Sequence, residues 1–206
     1  MSLTNLVGYF IETNQAKKVK RYSTCDETVR DTTASHSYHP TLMCACTIRE
    51  LRLSLDVAHT LELALRHDSC EIGKEHDIES ITVARGDITR EQKKEIEKIT
   101  IEELARNYGM EDDVFWREYE ESATLESKFV KAMDKIECLI HLIERCGTRR
   151  TDEDDHDHVA KYADDAVRNF RELEPLLREV KSGLKRVYCQ QKIPWKDEYN
   201  YPDNQK

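Results

Sequence analysis

The sequence predicts an all-α fold, and three observations carry that expectation. Apolar residues recur at intervals of three and four along most of the chain. Six glycines and four prolines in 206 residues are few for a many-turned β fold. No stretch alternates apolar and polar residues as a half-buried strand would. The length suits one domain or at most two small ones. A charged fraction of 35% beside an apolar fraction of 38% describes a charged surface over an adequate core.

Each element follows from its own signals. Leu6 to Ile11 reads as a short apolar helix, and residues 13–35 as polar and irregular. From about Ser37 to Leu55, Leu42, Ala45, Cys46, Ile48 and Leu51 fall at helical spacing. Pro40 fits only a first helical turn, which starts that helix close to His36. The next helix is expected over Val57 to Glu71, with Leu61, Ala64, Leu65 and Asp68 on one face. Residues 72–88, with Gly73 and Gly86-Asp87, read as a loop containing a short helical turn. Thr89-Arg90-Glu91-Gln92 is a capping box that opens a helix to Asn107, stopped at Gly109. A helix over Asp112 to Glu121 carries Trp116 and Tyr119, and a strong one follows from Thr124 to Cys146, ended by Gly147. The last segment, Val159 to Tyr188, breaks or restarts near Pro175. The polar tail from Cys189 is expected outside the core.

A net charge of −9 argues against binding a nucleic acid polymer. No segment is long enough to span a membrane, and Met1 to Phe10 lacks the pattern of a signal peptide. Seven cysteines without a regular framework suggest free thiols in a reducing, cytoplasmic setting, or host cytoplasm if the protein is viral. Cys44 and Cys46 point to different faces of a helix and make a poor metal pair.

The chemistry centres on the doublet His67-Asp68, with His36 upstream and Asp134 downstream. Two imidazoles and two carboxylates suit a divalent metal, and a metal so held can activate water at neutral pH. Glu71 lies four residues after His67 and three after Asp68, on nearly the same helical face. Asp134 sits at the edge of an apolar stripe beside Val130 and Met133, where a carboxylate needs a partner.

These residues carry a family resemblance. Ala34-Ser35-His36-Ser37-Tyr38, Leu65-Arg66-His67-Asp68-Ser69-Cys70-Glu71, Phe115-Trp116-Arg117-Glu118-Tyr119-Glu120 and Phe129-Val130-Lys131-Ala132-Met133-Asp134-Lys135-Ile136-Glu137 occur in that order. The stretch from about Arg21 to Arg145 resembles the HD-domain metal-dependent phosphohydrolases. It most resembles the branch of bacterial 5′-deoxynucleotidases and related phage nucleotide hydrolases. The resemblance implies a single HD-domain helical bundle over residues 1–188 with a tail over 189–206. It implies that His36, His67, Asp68 and Asp134 ligate one divalent metal, with Mn, Co, Mg, Fe and Zn all open. Glu71 would orient or deprotonate the attacking water, and Arg21-Tyr22 would contact the nucleotide, although the family has Trp where Tyr22 stands. A second acid that contacts the sugar falls on Asp77 by spacing or Asp87 by local motif, and Asp77 is preferred.

The implied activity is a 5′-(deoxy)nucleotidase releasing phosphate from nucleoside monophosphates. The alternatives are a deoxynucleoside triphosphohydrolase, with Lys74 and Arg85 as further cations, and a non-catalytic nucleotide-binding protein. Cyclic-dinucleotide or alarmone hydrolysis ranks lower, because no partner domain is evident. The expected partners are a small nucleotide substrate and a second copy of the chain, as homodimer or higher homo-oligomer. Asp154-Asp155-His156-Asp157-His158 reads as an exposed acidic loop or helix start, not a second metal site. His141 reads as a core or boundary histidine, Trp116 as a core anchor, and His39, His59 and His76 carry no assignment.

Overall fold

The structure is a computed structural model that describes residues 2–22, 25, 27, 30–74, 77–145 and 153–202. The all-α expectation holds: ten α-helices and one two-residue β-ribbon make up the described regular structure, apart from short 3-10 turns. Helix α1 spans Leu3–Thr13, capped by the Ser2 hydroxyl, which accepts from the Asn5 amide at 3.1 Å. Strands β1 (Lys20–Arg21) and β2 (Asp31–Thr32) then pair antiparallel, with Arg21 opposite Asp31. The pleat exposes Lys20 and buries Arg21.

Thr32 ends the ribbon and also caps α2 (Thr33–Leu51) in a reciprocal box with Ser35. The helix therefore starts three residues before His36. Pro40 lies inside it and is buried, contrary to the first-turn expectation. Its missing N–H removes one rung to the His36 carbonyl, and the helix tolerates that loss. After the left-handed Arg52, Asp56 caps α3 (Val57–Arg66). This helix stops five residues short of the expected Glu71. Asp68 leaves helical geometry at φ −99° and ψ 14°, and Ser69–Glu71 form a 3-10 turn.

Helix α4 (Ser80–Ala84) is the short turn expected in the following loop. The Thr89–Gln92 box opens α5 (Arg90–Tyr108), and Gly109 ends it at φ 68°. Helix α6 covers Asp112–Glu121 and α7 covers Leu125–Arg145. Cys146 and Gly147, expected to end α7, lie outside the described residues, as does His76. The last segment divides into α8 (Glu153–Lys161), α9 (Asp164–Arg168) and α10 (Glu174–Gln190), with Pro175 in the first turn of α10.

Two apolar clusters result. The larger gathers α2, α3, α7, α8, α9 and α10 around Phe129, Met133, Ile136 and Leu139, all fully buried. The smaller joins Tyr9 of α1, Cys70, Ile72, Ile101 and Leu104 of α5, and Trp116 of α6. The C-terminal segment corrects the expectation of a tail outside the core. Tyr199 and Tyr201 are buried in the larger cluster, Trp195 and Tyr199 pack edge-on to Tyr188, and Lys181 donates to the Tyr199 carbonyl at 2.7 Å. A few large aromatics bury much area while leaving the average composition polar, so the segment reads as a tail. Among the described residues no helix is long and apolar enough to cross a membrane.

Candidate metal centre

Three elements of the larger cluster deliver the histidines and carboxylates to one point. His36 comes from the second turn of α2, His67 from the end of α3, and Asp134 from the middle of α7. His36 and His67 are each 1% exposed, and their ring centroids are 5.4 Å apart. The Nε2 atom of His36 lies 3.1 Å from Asp134 Oδ1 and 3.4 Å from Asp68 Oδ2. The Nε2 atom of His67 lies 3.3 Å from Asp68 Oδ2 and 3.8 Å from Asp134 Oδ1.

The far side of each ring is fixed by a group that can only accept. His36 Nδ1–H donates to Glu137 Oε2 at 2.6 Å, and His67 Nδ1–H donates to the Ala64 carbonyl at 2.9 Å. In the neutral rings both Nε2 lone pairs then face the carboxylates. Both Nε2 atoms are buried without a hydrogen-bond partner among the described residues. Two orphaned imidazole nitrogens facing two carboxylates are what a divalent cation would satisfy, so the residues fit a metal. His36, His67 and Asp134 have their donor atoms within 4.8 Å of one another.

Electrostatics agree with a cation-seeking site. Burial and Arg21 depress His36, but the carboxylates of Asp134, Glu137 and Asp68 carry it up to about 9. Burial opposes ionisation of Asp134, yet Lys135 and the two histidines hold it well below the carboxylate range. Asp134 is also fixed by the Tyr119 hydroxyl, which donates to Oδ2 at 2.6 Å, and by Lys135 Nζ at 3.0 Å. Cys138 stands one turn further along α7, where burial first and then Asp134 push its thiol up to about 12.

Glu71 arrives on the 3-10 turn and is 4% exposed. The Thr33 hydroxyl donates to its Oε2 at 2.6 Å. Burial, then Asp68 and Asp77, raise its carboxyl well above the usual range. Arg21 reaches in from β1: its Nη1 is 2.7 Å from Asp68, 3.5 Å from Glu71 and 3.7 Å from Asp77. Asp77 is held nearby by its amide, which donates to the Lys20 carbonyl at 3.0 Å. A cavity of about 290 Å³ is lined by Asp68, Glu71, Asp77, Asp134, Trp116 and Tyr119, with Arg90, Lys93, Lys94 and Lys135 adding positive charge.

The structure thus brings together seven sequence-predicted residues: His36, His67, Asp68, Asp134, Glu71, Arg21 and Asp77. Tyr22 is set apart. It adopts φ 56°, stacks on His141 at 4.7 Å, and lines a small adjoining cavity shared with Arg21 and Asp77. Asp87 is exposed in the turn after α4 and does not border the larger cavity. Arg85 is paired with Asp155, and Lys74 lines a separate surface cleft beside Glu12. The acidic run of α8 disperses: Asp155 meets Arg85, Asp157 meets Lys196 and Tyr199, and His158 meets Ser80.

Glu137, Tyr119, Thr33 and the cations of α5 carry no assignment from sequence. Glu137 had a readable signal, three residues beyond Asp134 on the same face. It also accepts from His39 Nδ1 at 3.0 Å, so one carboxylate clamps two histidines of α2. Nothing local distinguishes Lys93 and Lys94 from solvated helix surface.

Comparison with known proteins agrees with this architecture. Residues 13–174 match the HD domain family, so the chain belongs to that family. A crystal structure from Magnetospirillum magnetotacticum MS-1, described as a predicted metal-dependent phosphohydrolase, shares the fold. Its TM-score is 0.68 at 19% identity, over 97% of this chain and 96% of that one. No curated protein matches the chain.

Proposed function

We propose that this HD-domain protein is a metal-dependent phosphohydrolase that releases phosphate from a nucleoside 5′-monophosphate, with 2′-deoxynucleotides as the first candidates. The observation that carries the reading is the pair of buried Nε2 atoms, without a hydrogen-bond partner among the described residues, facing Asp68 and Asp134. His36, His67, Asp68 and Asp134 would hold one divalent ion. That ion would supply Lewis acidity, lowering the pKa of a water and polarising a phosphoryl oxygen.

The chain's own residues supply the rest. Glu71 would receive the proton of the attacking water, and its raised proton affinity suits a base that must retain it. Thr33 holds one Glu71 oxygen and so limits its rotation. Glu137 and the Ala64 carbonyl keep the two imidazoles facing inward. Lys93, Lys94, Arg90 and Lys135 would neutralise the phosphate entering the cavity. Contact between Arg21 and phosphate, as the family resemblance implies, would require its Nη1 to leave the three carboxylates. Asp77, with a buried oxygen that has no partner among the described residues, is the candidate for a sugar hydroxyl.

One observation favours a second reading. Three cations within the first five residues of α5, Arg90, Lys93 and Lys94, exceed what one phosphate needs, as a deoxynucleoside triphosphohydrolase would require. A nucleotide panel with Mn²⁺, Co²⁺ or Mg²⁺, with phosphorus products resolved, separates the two. Inorganic phosphate from monophosphates supports the first reading and tripolyphosphate the second. Turnover retained after metal depletion would sink both.

A further inference from the structure

Asp68, Glu71 and Asp77 point a carboxylate oxygen each at one atom, Arg21 Nη1, at 2.7, 3.5 and 3.7 Å. The cluster is nearly dry: side-chain exposures are 9% for Arg21, 15% for Asp68, 5% for Glu71 and 10% for Asp77. Three carboxylates so close together in a poorly hydrated space repel strongly unless a cation sits among them. Asp77 Oδ1 is buried with no hydrogen-bond partner among the described residues, so the acids are not exhausted by their present contacts. Asp68 Oδ2 faces both ways. It meets Arg21 at 2.7 Å on one side and His36 and His67 at 3.4 and 3.3 Å on the other. A carboxylate shared between two cations a few ångströms apart is the arrangement of a two-metal hydrolase.

We propose that Arg21 is a built-in second cation: its guanidinium occupies the place a second divalent metal would take against Asp68, Glu71 and Asp77, and so keeps the centre mononuclear. The inference rests on the metal centre proposed above and deepens it. An arginine suits this task because it stays charged when buried, where a lysine can lose its proton. Burial opposes the Arg21 charge, but Asp68, Asp77 and Glu71 more than offset it and raise its pKa well above the ordinary value. The ribbon explains how the charge is delivered. The register of Arg21 with Asp31 turns the side chain inward, and the Asp77 amide is tied to the neighbouring Lys20 carbonyl. Among the described residues, the guanidinium head makes one further hydrogen-bond contact, a weak one from Nη2 to Cys138 Sγ at 3.8 Å. With its strongest donor engaged by carboxylates, Arg21 is a positioning residue, and the phosphate charge falls to the cations of α5 and Lys135.

Metal stoichiometry reads this directly. The full chain is stripped, reloaded with Mn²⁺, freed of excess ion and analysed for Mn per chain, with electron paramagnetic resonance of the loaded protein. Wild type should hold one Mn²⁺ with an uncoupled spectrum, and Arg21→Lys, whose ammonium the three neighbouring carboxylates would keep charged, should do the same. Arg21→Met should hold two, with the exchange-coupled spectrum of a carboxylate-bridged pair, and adding Asp77→Asn to it should return the count to one. Arg21→Gln gives a second neutral variant if Arg21→Met does not fold. Two Mn²⁺ in wild type, or one or none in folded neutral variants, would overturn the proposal. Failure of the wild type to retain any Mn²⁺ would instead sink the phosphohydrolase reading. One Mn²⁺ in every variant leaves that reading standing and removes only the role of Arg21.

Discussion

The two sides of the cavity are built differently. On one side, the histidines and Asp134 stand on the helices of the larger cluster, and each is gripped from behind. Glu137 holds His36, the Ala64 carbonyl holds His67, and Tyr119 and Lys135 hold Asp134. On the other side, α5 rests on the smaller cluster through Ile101 and Leu104 and presents Arg90 and Lys94 from exposed positions. Helix α6 is the seam, with Trp116 in one cluster and Tyr119, three residues on, in the other. The contrast follows from distance dependence. Ligation fails with a displacement of a few tenths of an ångström, whereas attraction between an ammonium and a phosphate changes gradually. A dense, hydrogen-bonded frame serves the first, and exposed side chains suffice for the second.

The sharpest way to break this division is Asp134→Ala. It should remove the metal and cost at least about 1,000-fold in turnover, on the scale of several kcal/mol expected of a lost Lewis acid. Metal analysis beside kcat checks it, and a variant that keeps both would end the assignment. Glu71→Gln should keep the metal and lower kcat by about 100- to 10,000-fold with little change in KM, the range of a lost general base. Glu137→Gln touches the carboxylate that holds His36 and His39, not the proposed ligands themselves, and should weaken metal affinity by about 10- to 100-fold. Restoration of its activity by raised metal concentration would distinguish it from Glu71→Gln.

The smallest change is expected on the tolerant side. Lys94→Ala should raise KM by about tenfold or less, near 1 kcal/mol for one exposed charge, and leave kcat unchanged. Its wild-type counterpart should show KM rising with salt, because exposed charges are screened. An equal fall in kcat would mean that α5 shares in the chemistry, and the two sides would no longer be separable.

Much of this was readable along the chain. Helix caps and apolar periodicity are local, so α5 and α6 lie within a residue or two of their expected bounds, and Thr89 and Gly109 mark the ends of α5 as predicted. The ordered set His36, His67, Asp68 and Asp134 was readable through its resemblance to the HD-domain pattern. Asp134 was readable also from its place on an apolar helix face, where a carboxylate needs a partner. The end of α3 was less readable, because helical spacing continues through Glu71 while the backbone turns at Asp68. The aromatic tail was misread because hydropathy averages over residues, whereas Tyr199 and Tyr201 bury themselves one ring at a time.

By itself, then, the sequence determined the helical class, the bounds of α5 and α6, and which residue types could serve as ligands. These depend on propensity, spacing and chemical type, which are properties of short segments. Only the tertiary structure decided that Asp77 and not Asp87 borders the cavity, that Glu137 clamps His36, and that Arg85 is taken by Asp155. It alone decided that Arg21 lies among three carboxylates brought from 47, 50 and 56 residues away. Such groupings are set by which helix faces pack, and a charge separated by that much chain finds its partner only when the core closes.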